Sequence, residues 1–340
     1  MVQMELQAVQ YCFQPSNLSC SKEVRPTAVY VVMYISAAAV VMLTVCGNLL
    51  VIISISHFKQ LHTATNLLLL SLAVADFLVG LIVMPFGLIV LIETCWYFGE
   101  TFCIVYNIFC FVLPSVSISN VACIAIDRYV AVCDPLLYSN KITSTRTWSV
   151  ILLNWTLSFL YNLALLYFNG NFTGLDEFNI CFGDCQLFIN EIWGIVDLLV
   201  VFFFPCSVMI TLYVKIFIVA KRHAQVISCI TEQISSDKNK NKISSASERK
   251  AAKTLGILVV VFLFCLVPYY ICTLVNENVS QSSSSVLINF LVWLVYLNST
   301  ANPIIYALFY PWFQTSLKSI IMLRIFKPGS SLLTLFPQKM

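Results

Sequence analysis

Seven long apolar runs dominate this chain of 340 residues and limit what it can fold into. Each run is long enough for the roughly 20 residues that a helix needs to cross a hydrocarbon layer about 30 Å thick. Backbone polar groups inside lipid must be satisfied within the segment, so the runs predict helices. The runs cover residues 27–55, 65–92, 103–126, 148–168, 191–219, 254–275 and 286–309. The sequence therefore predicts an all-α membrane protein built as a bundle of seven transmembrane helices.

Charged residues are sparse in this chain. Only 10% of the residues are charged and 59% are hydrophobic, whereas soluble domains carry about 25% charged residues. The surface of the predicted bundle must therefore face a lipid bilayer. The net charge is only +3, and no basic stripe is interleaved with aromatic residues, which excludes nucleic acid as a partner.

The positions of the basic residues predict the orientation of the bundle. Lys22 and Arg25 precede the first run, and no Lys or Arg lies between runs two and three, four and five, or six and seven. The other 17 of the 19 basic residues lie in the remaining loops, at the helix ends on that side or in the tail. Because basic residues concentrate on the cytoplasmic side, the N-terminus is predicted to be extracellular.

This orientation predicts the organisation of the whole chain. The C-terminal stretch from Phe309 to Arg324 is apolar on one face, with Lys318 and Arg324 on the other, which is typical of a helix lying at the membrane interface. The N-terminal stretch lacks the apolar core of a cleavable signal, so we expect the first span to act as the anchor. The predicted regions are an extracellular N-terminus (1–26), a seven-helix domain (27–310) with a mobile cytoplasmic loop at about 220–252, and an interfacial helix with a cytoplasmic tail (311–340).

Cysteines and sequons on the predicted outer side indicate covalent modification. That side is oxidising, so its cysteines favour disulfides, and the lack of an accompanying His disfavours zinc. These cysteines are Cys12, Cys20, Cys103, Cys181 and Cys185. Asn17, Asn171 and Asn278 lie in outer Asn-x-Ser/Thr sequons, so we predict glycosylation there.

Polar residues inside the runs need a functional explanation, because burial in lipid is costly for them. Asp76 lies in the middle of the second run, without a basic residue at its depth. A carboxylate surrounded by hydroxyl and amide oxygens suits a hard cation, which predicts an Na⁺ site. The predicted site comprises Asp76, Ser117, Asn298, Ser299 and Asn302, with Asn48 at the same level. The alternative is a protonated Asp76 in a water network.

A charged cluster ends the third run on the cytoplasmic side. Asp127, Arg128 and Tyr129 are consecutive there, and Arg128 would be costly to bury without a partner. Asp127 is adjacent, and Glu248, which precedes the sixth run, can reach Arg128 if the two helix ends approach. Release of this pairing by outward movement of the sixth helix would form a two-state switch that opens a cavity for a partner.

These features resemble the motifs of rhodopsin-like G-protein-coupled receptors, in order and across all seven runs. The span-seven stretch 298–313 is similar, more narrowly, to that of trace amine-associated receptors, as are the Lys250–Gly256 stretch and the paired cysteines of the second outer loop. The motifs are Gly47-Asn48, Leu72 to Asp76, Asp127-Arg128-Tyr129, Trp155, Pro205 with Tyr213, Pro268, and Asn302-Pro303-Ile304-Ile305-Tyr306.

This resemblance implies specific functions and site residues. The implied function is an olfactory receptor in the plasma membrane that senses a small amine and raises cyclic AMP through a stimulatory G protein. The implied disulfide joins Cys103 to a cysteine of the second outer loop, where Cys181 and Cys185 are both candidates. We expect Cys103–Cys185, with the spare loop cysteine bonded to the N-terminus as Cys20–Cys181. The implied switch adds Tyr213 and Tyr306 to Asp127, Arg128, Tyr129 and Glu248, and the implied transmission cluster is Ile118, Pro205 and Phe262, with Leu266 at a position where the family usually has Trp.

The chain departs from most amine receptors in the third span. Where these receptors carry an acidic residue, 18 residues before Arg128, this chain has Cys110, which cannot bind a cation. Asp197 lies in the fifth run, eight residues before Pro205 and about 12 Å nearer the outside. The residues around it, from Trp193 to Phe204, are uncharged, so its charge partner is expected to come from a ligand. This position matches a fish-type branch whose amine-binding acid lies in span five.

We expect Asp197 to bind the ammonium group of the ligand, and aromatic faces and hydroxyls to surround it. The predicted ligand-binding residues are Asp197, Cys110, Phe111, Tyr269, Tyr270 and Tyr296. Glu191 lies farther out and is a candidate for a second amine. The alternative for Asp197 itself is a protonated carboxyl hydrogen-bonded to span three or four.

Three other functions compete with an amine receptor. The loss of the span-three acid at Cys110 favours a receptor for a non-amine ligand. A transporter or channel would need paired broken helices or related halves, neither of which the sequence contains. An intramembrane or zinc enzyme is disfavoured, because neither a His-Glu-x-x-His run nor a Ser/His/Asp set is present.

Overall fold

A computed structural model describes residues 10–13, 18–169, 181–185, 190–233, 239–276, 285–332 and 335. Within these ranges, seven helical spans are long and apolar enough to cross a membrane. The spans are Thr27–His57, Ala64–Glu93, Glu100–Cys133, Ser144–Phe168, Glu191–Val219, Gly256–Leu274 and Leu287–Phe309. The predicted all-α seven-span bundle is therefore confirmed.

Shorter elements flank these spans. Residues Pro26, Thr63 and Thr143 cap the first, second and fourth spans, and the hydroxyls of Thr63 and Thr143 accept hydrogen bonds from backbone N–H groups of the first turn. The elements are β1 (Gln10–Tyr11), β2 (Ser21–Lys22), α1 (Thr27–His57), α2 (Ala64–Leu78), α3 (Met84–Glu93), α4 (Glu100–Cys133), α5 (Pro135–Lys141), α6 (Ser144–Phe168), α7 (Glu191–Asp197), α8 (Phe204–Gln233), α9 (Asn239–Asn276), α10 (Ser285–Phe309) and α11 (Pro311–Ile321).

Two spans contain a π-helical turn, which is wider than a turn of α-helix. The π-helical turn Val79–Val83 joins α2 to α3, and Leu198–Phe203 joins α7 to α8. Pro85 and Pro205 follow these turns, and a proline lacks the N–H that a regular helix would use there. Because π turns reorient the residues around them, the second one sets the direction of Asp197, which directly precedes it.

Residues 220–252, predicted as a mobile cytoplasmic loop, are mostly helical, and their mobility stays a prediction. Helix α8 continues to Gln233 and α9 begins at Asn239. The segment contains five Ala and five Lys residues, which favour helix, and extension of an existing helix needs no new nucleation. Polar composition alone therefore did not distinguish a solvated helix from a loop.

The core of the bundle lies around the third span, α4, which contacts α2, α6 and α8. Leu72, Ile118, Phe262 and Tyr306 are fully buried in one apolar cluster. Large apolar side chains such as those of Val32, Leu153 and Phe264 are instead exposed on the outside. Such an apolar exterior fits lipid, which confirms that this is an integral membrane bundle.

Three disulfides close the outer end of the bundle. Cys103 is bonded to Cys185 and Cys20 to Cys181, which are the two pairs expected from the resemblance. The third, Cys12–Cys95, was not predicted, because Cys95 directly follows the second apolar run and was not counted among the outer cysteines. Asn17, Asn171 and Asn278 lie outside the described residues, so their glycosylation stays a prediction.

The N-terminal segment packs onto this outer end. Strands β1 and β2 form a short hairpin, and Ser19 bridges to Phe182 of the second outer loop. Lys22 Nζ lies 2.5 Å from Glu93 Oε2 at the end of α3, and this contact raises the pKa of Lys22. The N-terminus is thereby attached to the loops around the entrance of the bundle.

Candidate functional site

A cavity of about 590 Å³ opens among spans three, five, six and seven in the outer half of the bundle. The six residues that were predicted to bind a ligand come from four different helices. The cavity is lined by all six: Cys110, Phe111, Asp197, Tyr269, Tyr270 and Tyr296. The bundle therefore brings together side chains that lie up to 186 positions apart in the sequence.

Asp197 projects its carboxylate into this cavity from the fifth span. Its Oδ1 atom is buried and has no hydrogen-bond partner among the described residues, and no Lys or Arg in that part of the chain forms a salt bridge with it. The Tyr161 side chain of the fourth span lies beside it. Tyr270 covers another side and stacks on Phe202 at 4.0 Å between ring centroids.

The opposite side of the cavity is polar but uncharged. Cys110 takes the place of the usual span-three acid and lies beside the hydroxyl of Tyr106, which in turn lies beside Tyr296. Gly87 of the second span makes room for both tyrosines, because a Cβ there would lie 2.1 Å from Tyr296 Oη and 2.7 Å from Tyr106 Oη. This side of the cavity is therefore formed by neutral groups.

Three of the four predicted transmission residues form the floor of the cavity. Ile118, Phe262 and Leu266 are buried together and line its lower part. Pro205 lies just beyond the π-helical turn of the fifth span and does not line the cavity. The aliphatic Leu266 side chain leaves this floor with fewer aromatic contacts than a Trp would make.

A buried polar cluster lies beneath this floor, around Asp76. Its Oδ1 atom accepts a hydrogen bond from Ser299 Oγ at 2.8 Å, and Oδ2 accepts one from Asn302 Nδ2 at 2.6 Å. Ser117 lies beside Asp76, and its buried hydroxyl has no partner in hydrogen-bond geometry among the described residues. Asn298 contributes a second buried oxygen, Oδ1, without a partner in the same part of the chain.

The cytoplasmic end of the third span carries a second polar cluster. Arg128 Nη2 lies 2.6 Å from Asp127 Oδ2, and the Thr65 hydroxyl donates to the same oxygen at 2.7 Å while also contacting Arg128. Tyr138 of the short helix α5 donates to Asp127 Oδ1 at 3.0 Å and accepts from Arg128 Nη2 at 3.1 Å. Burial and the Asp127 carboxylate raise the pKa of Tyr138, which keeps this phenol protonated.

The comparisons with known proteins agree with this architecture. The family model described as "7 transmembrane receptor (rhodopsin family)" matches residues 47–306. The chain is 46% identical over 332 residues to trace amine-associated receptor 13c of Danio rerio, covering 96% of each chain. It is 40% identical to trace amine-associated receptor 4 of Mus musculus, covering 97% of this chain and 96% of the relative. It is 39% identical to trace amine-associated receptor 1 of Homo sapiens, covering 96% and 98%.

The chain belongs to the trace amine-associated receptors of the rhodopsin family. The resemblance inferred from the motifs is therefore confirmed. As a member of this family, it is a multi-pass membrane receptor with a small-molecule ligand and a G protein partner, and it is not an enzyme.

The structure describes three of the other predicted switch residues of this receptor. Tyr129 lies beneath the Lys215 ammonium group at 5.9 Å from the ring centroid. The hydroxyls of Tyr213 and Tyr306 are buried and have no hydrogen-bond partner among the described residues. The side chain of Glu248 lies outside the described residues, so its pairing with Arg128 stays a prediction.

Sequence reasoning missed three contacts of this receptor. Tyr161 meets Asp197, and Thr65 and Tyr138 meet the Asp127–Arg128 pair. A tyrosine or threonine in a helix or loop is common without any functional contact, so these residues gave no signal in the sequence. Only the packing of separate helices placed these hydroxyls against a charge.

Proposed function

We propose that this receptor senses an amine through Asp197 and activates a stimulatory G protein that raises cyclic AMP. The observation that carries this proposal is the isolation of Asp197. Among the described residues that line the cavity, Asp197 is the only acid, and none is Lys, Arg or His. The printed names of the relatives, all trace amine-associated receptors, support an amine as the ligand.

The energetics favour a cationic ligand at this position. A desolvated carboxylate without a partner is costly, because the low-dielectric surroundings replace the water that would stabilise its charge. A ligand ammonium supplies the opposite charge and N–H donors for Asp197 Oδ1. Tyr269 and Tyr270 add aromatic faces, which attract cations.

The test is the dose–response curve of Asp197→Asn, which keeps the shape of the side chain and removes its charge. Cells that express the receptor with an outer N-terminal epitope would be assayed for cyclic AMP with a panel of mono- and diamines. We expect the potency of the best amine to fall by at least about 100-fold, since a desolvated charge pair is worth a few kcal/mol. Epitope detection on intact cells measures surface density and tests the extracellular N-terminus in the plasma membrane.

Glu191→Gln is the matched control for Asp197→Asn. Glu191 lies on the same span, but it is exposed and does not line the cavity. Removal of its charge should change the potency of monoamines less than threefold. Equal curves for wild type and Asp197→Asn at equal surface density would reject the amine anchor and favour a receptor for a non-amine ligand. An olfactory role is part of the proposal and predicts transcription in olfactory sensory neurons.

The cytoplasmic cluster supports the coupling mechanism. Arg128 is held by Asp127, Thr65 and Tyr138 in a closed arrangement at the inner end of the bundle. Outward movement of α9, the sixth helix, would expose Arg128 to a G protein. We therefore expect Arg128→Ala to abolish the cyclic AMP response while ligand binding remains, because Arg128 lies at the opposite end from the cavity.

The Asp76 cluster completes the proposed function as a site for an allosteric Na⁺ ion. Asp76 and Ser117 offer a carboxylate and a hydroxyl oxygen, which are ligands that suit a hard cation, and Ser299 and Asn302 orient the carboxylate. The cavity reaches this cluster, since Ser117, Asn298 and Ser299 also line it. An ion can therefore reach Asp76 from the outer side.

The purified receptor should be more heat-stable in NaCl than in choline chloride at the same ionic strength. Binding to the native state stabilises it by mass action, and we expect a rise in Tm of about 2–4 °C, equivalent to about 1 kcal/mol. Asp76→Asn should remove this difference. A protonated Asp76 in a water network predicts equal Tm values in the two salts for the wild type, and that result would reject the Na⁺ site.

A further inference from the structure

The chain after the seventh span folds back onto the cytoplasmic end of the first span. Leu323 has a left-handed backbone, with φ at 54°, and reverses the chain just after α11. Farther along, the Ser330 hydroxyl lies 3.0 Å from His57 Nε2, at the end of α1. The Leu335 backbone N–H donates to Gln60 Oε1, in the first cytoplasmic loop, at 3.0 Å. These contacts hold the returning segment beside the level at which the first span ends.

The returning segment Ile321–Leu332, here called the tail turn, exposes large apolar side chains. Ile325 packs against the core of the bundle, but five other apolar side chains of the tail turn are each more than half exposed. These five are Ile321, Met322, Leu323, Phe326 and Leu332. A contiguous apolar surface of this kind is unfavourable in water and marks a contact with a membrane or a partner.

The backbone of Leu323 adds a second observation. A left-handed residue at a helix end is most often Gly or Asn, because a Cβ is strained in that conformation. The Leu323 side chain is 66% exposed, so packing within the described part of the bundle does not compensate for this strain. An apolar environment outside the protein would stabilise a leucine at this position.

Basic residues are interspersed among these apolar residues. Lys318, Arg324 and Lys327 are exposed, and none of them forms a salt bridge with a described residue. The sequence from position 311 to the last residue contains four basic residues and no Asp or Glu. Apolar side chains with unpaired basic neighbours fit a bilayer surface that carries acidic headgroups.

The position of the tail turn favours lipid over a protein partner. The seventh span ends at Phe309 and α11 begins at Pro311, so α11 starts where the span ends. Helix α11 packs against α1, and the contacts of Ser330 and Leu335 hold the far side of the tail turn beside the end of α1. Both ends of the apolar surface therefore lie at the border of the bilayer.

We propose that the tail turn inserts its apolar side chains into the cytoplasmic leaflet and binds acidic phospholipid headgroups through Arg324 and Lys327. This surface extends past the interfacial helix that the sequence predicts. It does not involve the ligand cavity, so it is independent of the proposal for Asp197.

The test places the photocrosslinking residue p-benzoylphenylalanine at position 326 of the full-length receptor. Phe326 is 77% exposed, so the larger side chain needs no space inside the bundle. The receptor is reconstituted with a purified heterotrimeric G protein in vesicles that contain equal amounts of phosphatidylcholine and phosphatidylserine with the same acyl chains. After irradiation, mass spectrometry identifies the adducts. We expect adducts with phosphatidylserine to exceed those with phosphatidylcholine at least about threefold, because basic residues near a membrane surface attract acidic lipids.

Two double variants test the role of charge. Arg324→Gln with Lys327→Gln should lower the ratio of the two lipid adducts to about one, because the basic residues nearest the probe are lost. Lys221→Gln with Arg222→Gln is the matched control, since it removes the same charges from exposed positions on α8 and should leave the ratio unchanged. An unchanged Tm of each purified variant shows that it is folded.

A probe at Thr315 tests the position of the surface. Thr315 is exposed on α11 between the polar neighbours Gln314 and Lys318, so its side chain should remain in water. We expect at least about fivefold fewer lipid adducts there than at position 326, since only the apolar face of an interfacial helix enters the bilayer.

Four results would overturn the proposal. Adducts with the G protein or with a second receptor would identify a protein as the occupant, and the absence of adducts would show that the tail turn stays in water. A ratio near one without the charge variants would mean contact with lipid but no preference for acidic headgroups. Equal lipid adducts at positions 315 and 326 would mean that the tail turn is no special surface. The comparison of the two lipids needs only the probe at position 326, so it decides the question even if a charge variant does not fold.

Discussion

Gly87 shows how one missing side chain shapes the ligand cavity. The hydroxyls of Tyr106 and Tyr296 occupy the space where a Cβ of residue 87 would lie. Cys110 and Tyr296 line a neutral side of the cavity, and the Tyr106 hydroxyl lies beside both of them. Position 110 thus has a neutral Cys beside two phenols in place of an acid, and the missing side chain at Gly87 leaves room for both phenols.

Gly87→Ala should therefore change the length of the amine that fits best. The added methyl pushes the Tyr296 hydroxyl into the cavity, and overpacking of this kind costs about 1–3 kcal/mol. In a series of unbranched alkylamines, we expect the most potent chain length to become shorter by at least one carbon, and the longest amines to lose about tenfold or more.

Tyr296→Phe in the Gly87→Ala background offers a check on this prediction. It removes the atom that lies closest to the new methyl group, so it should restore part of the response to long amines. An unchanged length preference in Gly87→Ala at normal surface density would show that the two tyrosines do not limit the cavity.

At the scale of elements, the short helix α5 has a role that its length does not suggest. It comprises only Pro135–Lys141, yet it places Tyr138 against both Asp127 and Arg128 of the third span. The Arg128 guanidinium also lies 5.8 Å from the Tyr138 ring centroid. The second cytoplasmic loop thus contributes directly to the Asp127–Arg128 cluster, the proposed switch.

Tyr138→Phe should raise the basal cyclic AMP level of cells that express the receptor without ligand. Loss of the phenol removes a donor to Asp127 and an acceptor for Arg128, and hydrogen bonds to charged groups contribute about 1.5–3 kcal/mol. We expect a two- to fivefold rise in basal activity, with Tyr167→Phe as the control, since the Tyr167 side chain is 61% exposed on the outside of the bundle. A basal level equal to that of wild type, at equal surface density, would exclude Tyr138 from the switch.

At the scale of the whole molecule, three disulfides join the N-terminal segment and the outer loops to the bundle. Cys103–Cys185 attaches the second outer loop to the third span, and Cys185 also lines the cavity. Cys12–Cys95 attaches the N-terminus to the loop after the second span, and neither residue lines the cavity. The two bonds should therefore contribute differently to stability and to ligand binding.

Joint replacement Cys12→Ser and Cys95→Ser should lower the thermal stability of the receptor and leave amine potency within threefold. Loss of a native disulfide typically removes about 2–4 kcal/mol of stability. Cys46→Ser is the control, since Cys46 is free and exposed. A loss of potency as large as that caused by Cys103→Ser would show that the N-terminal attachment also shapes the cavity.

The sequence by itself determined the features that depend on local composition. Seven apolar runs, and charges that are few and concentrated on one side, determined a seven-span bundle. Apolar segments of this length are stable in lipid as helices, because their backbone groups must be hydrogen-bonded within the segment. An acid such as Asp197, alone in an apolar stretch, already demanded a partner. The same local reasoning did not predict the helical structure of residues 220–252, because polar composition suits a solvated helix as well as a loop.

Only the tertiary structure decided which side chains meet. Tyr161 faces Asp197, Tyr138 faces Asp127, and Gly87 admits Tyr106 and Tyr296. Cys12 bonds Cys95 across 83 positions. Each contact joins different segments of the chain, and no spacing or periodicity within one helix encodes which face of another helix it will touch. The direction and rotation of packed helices set these pairs.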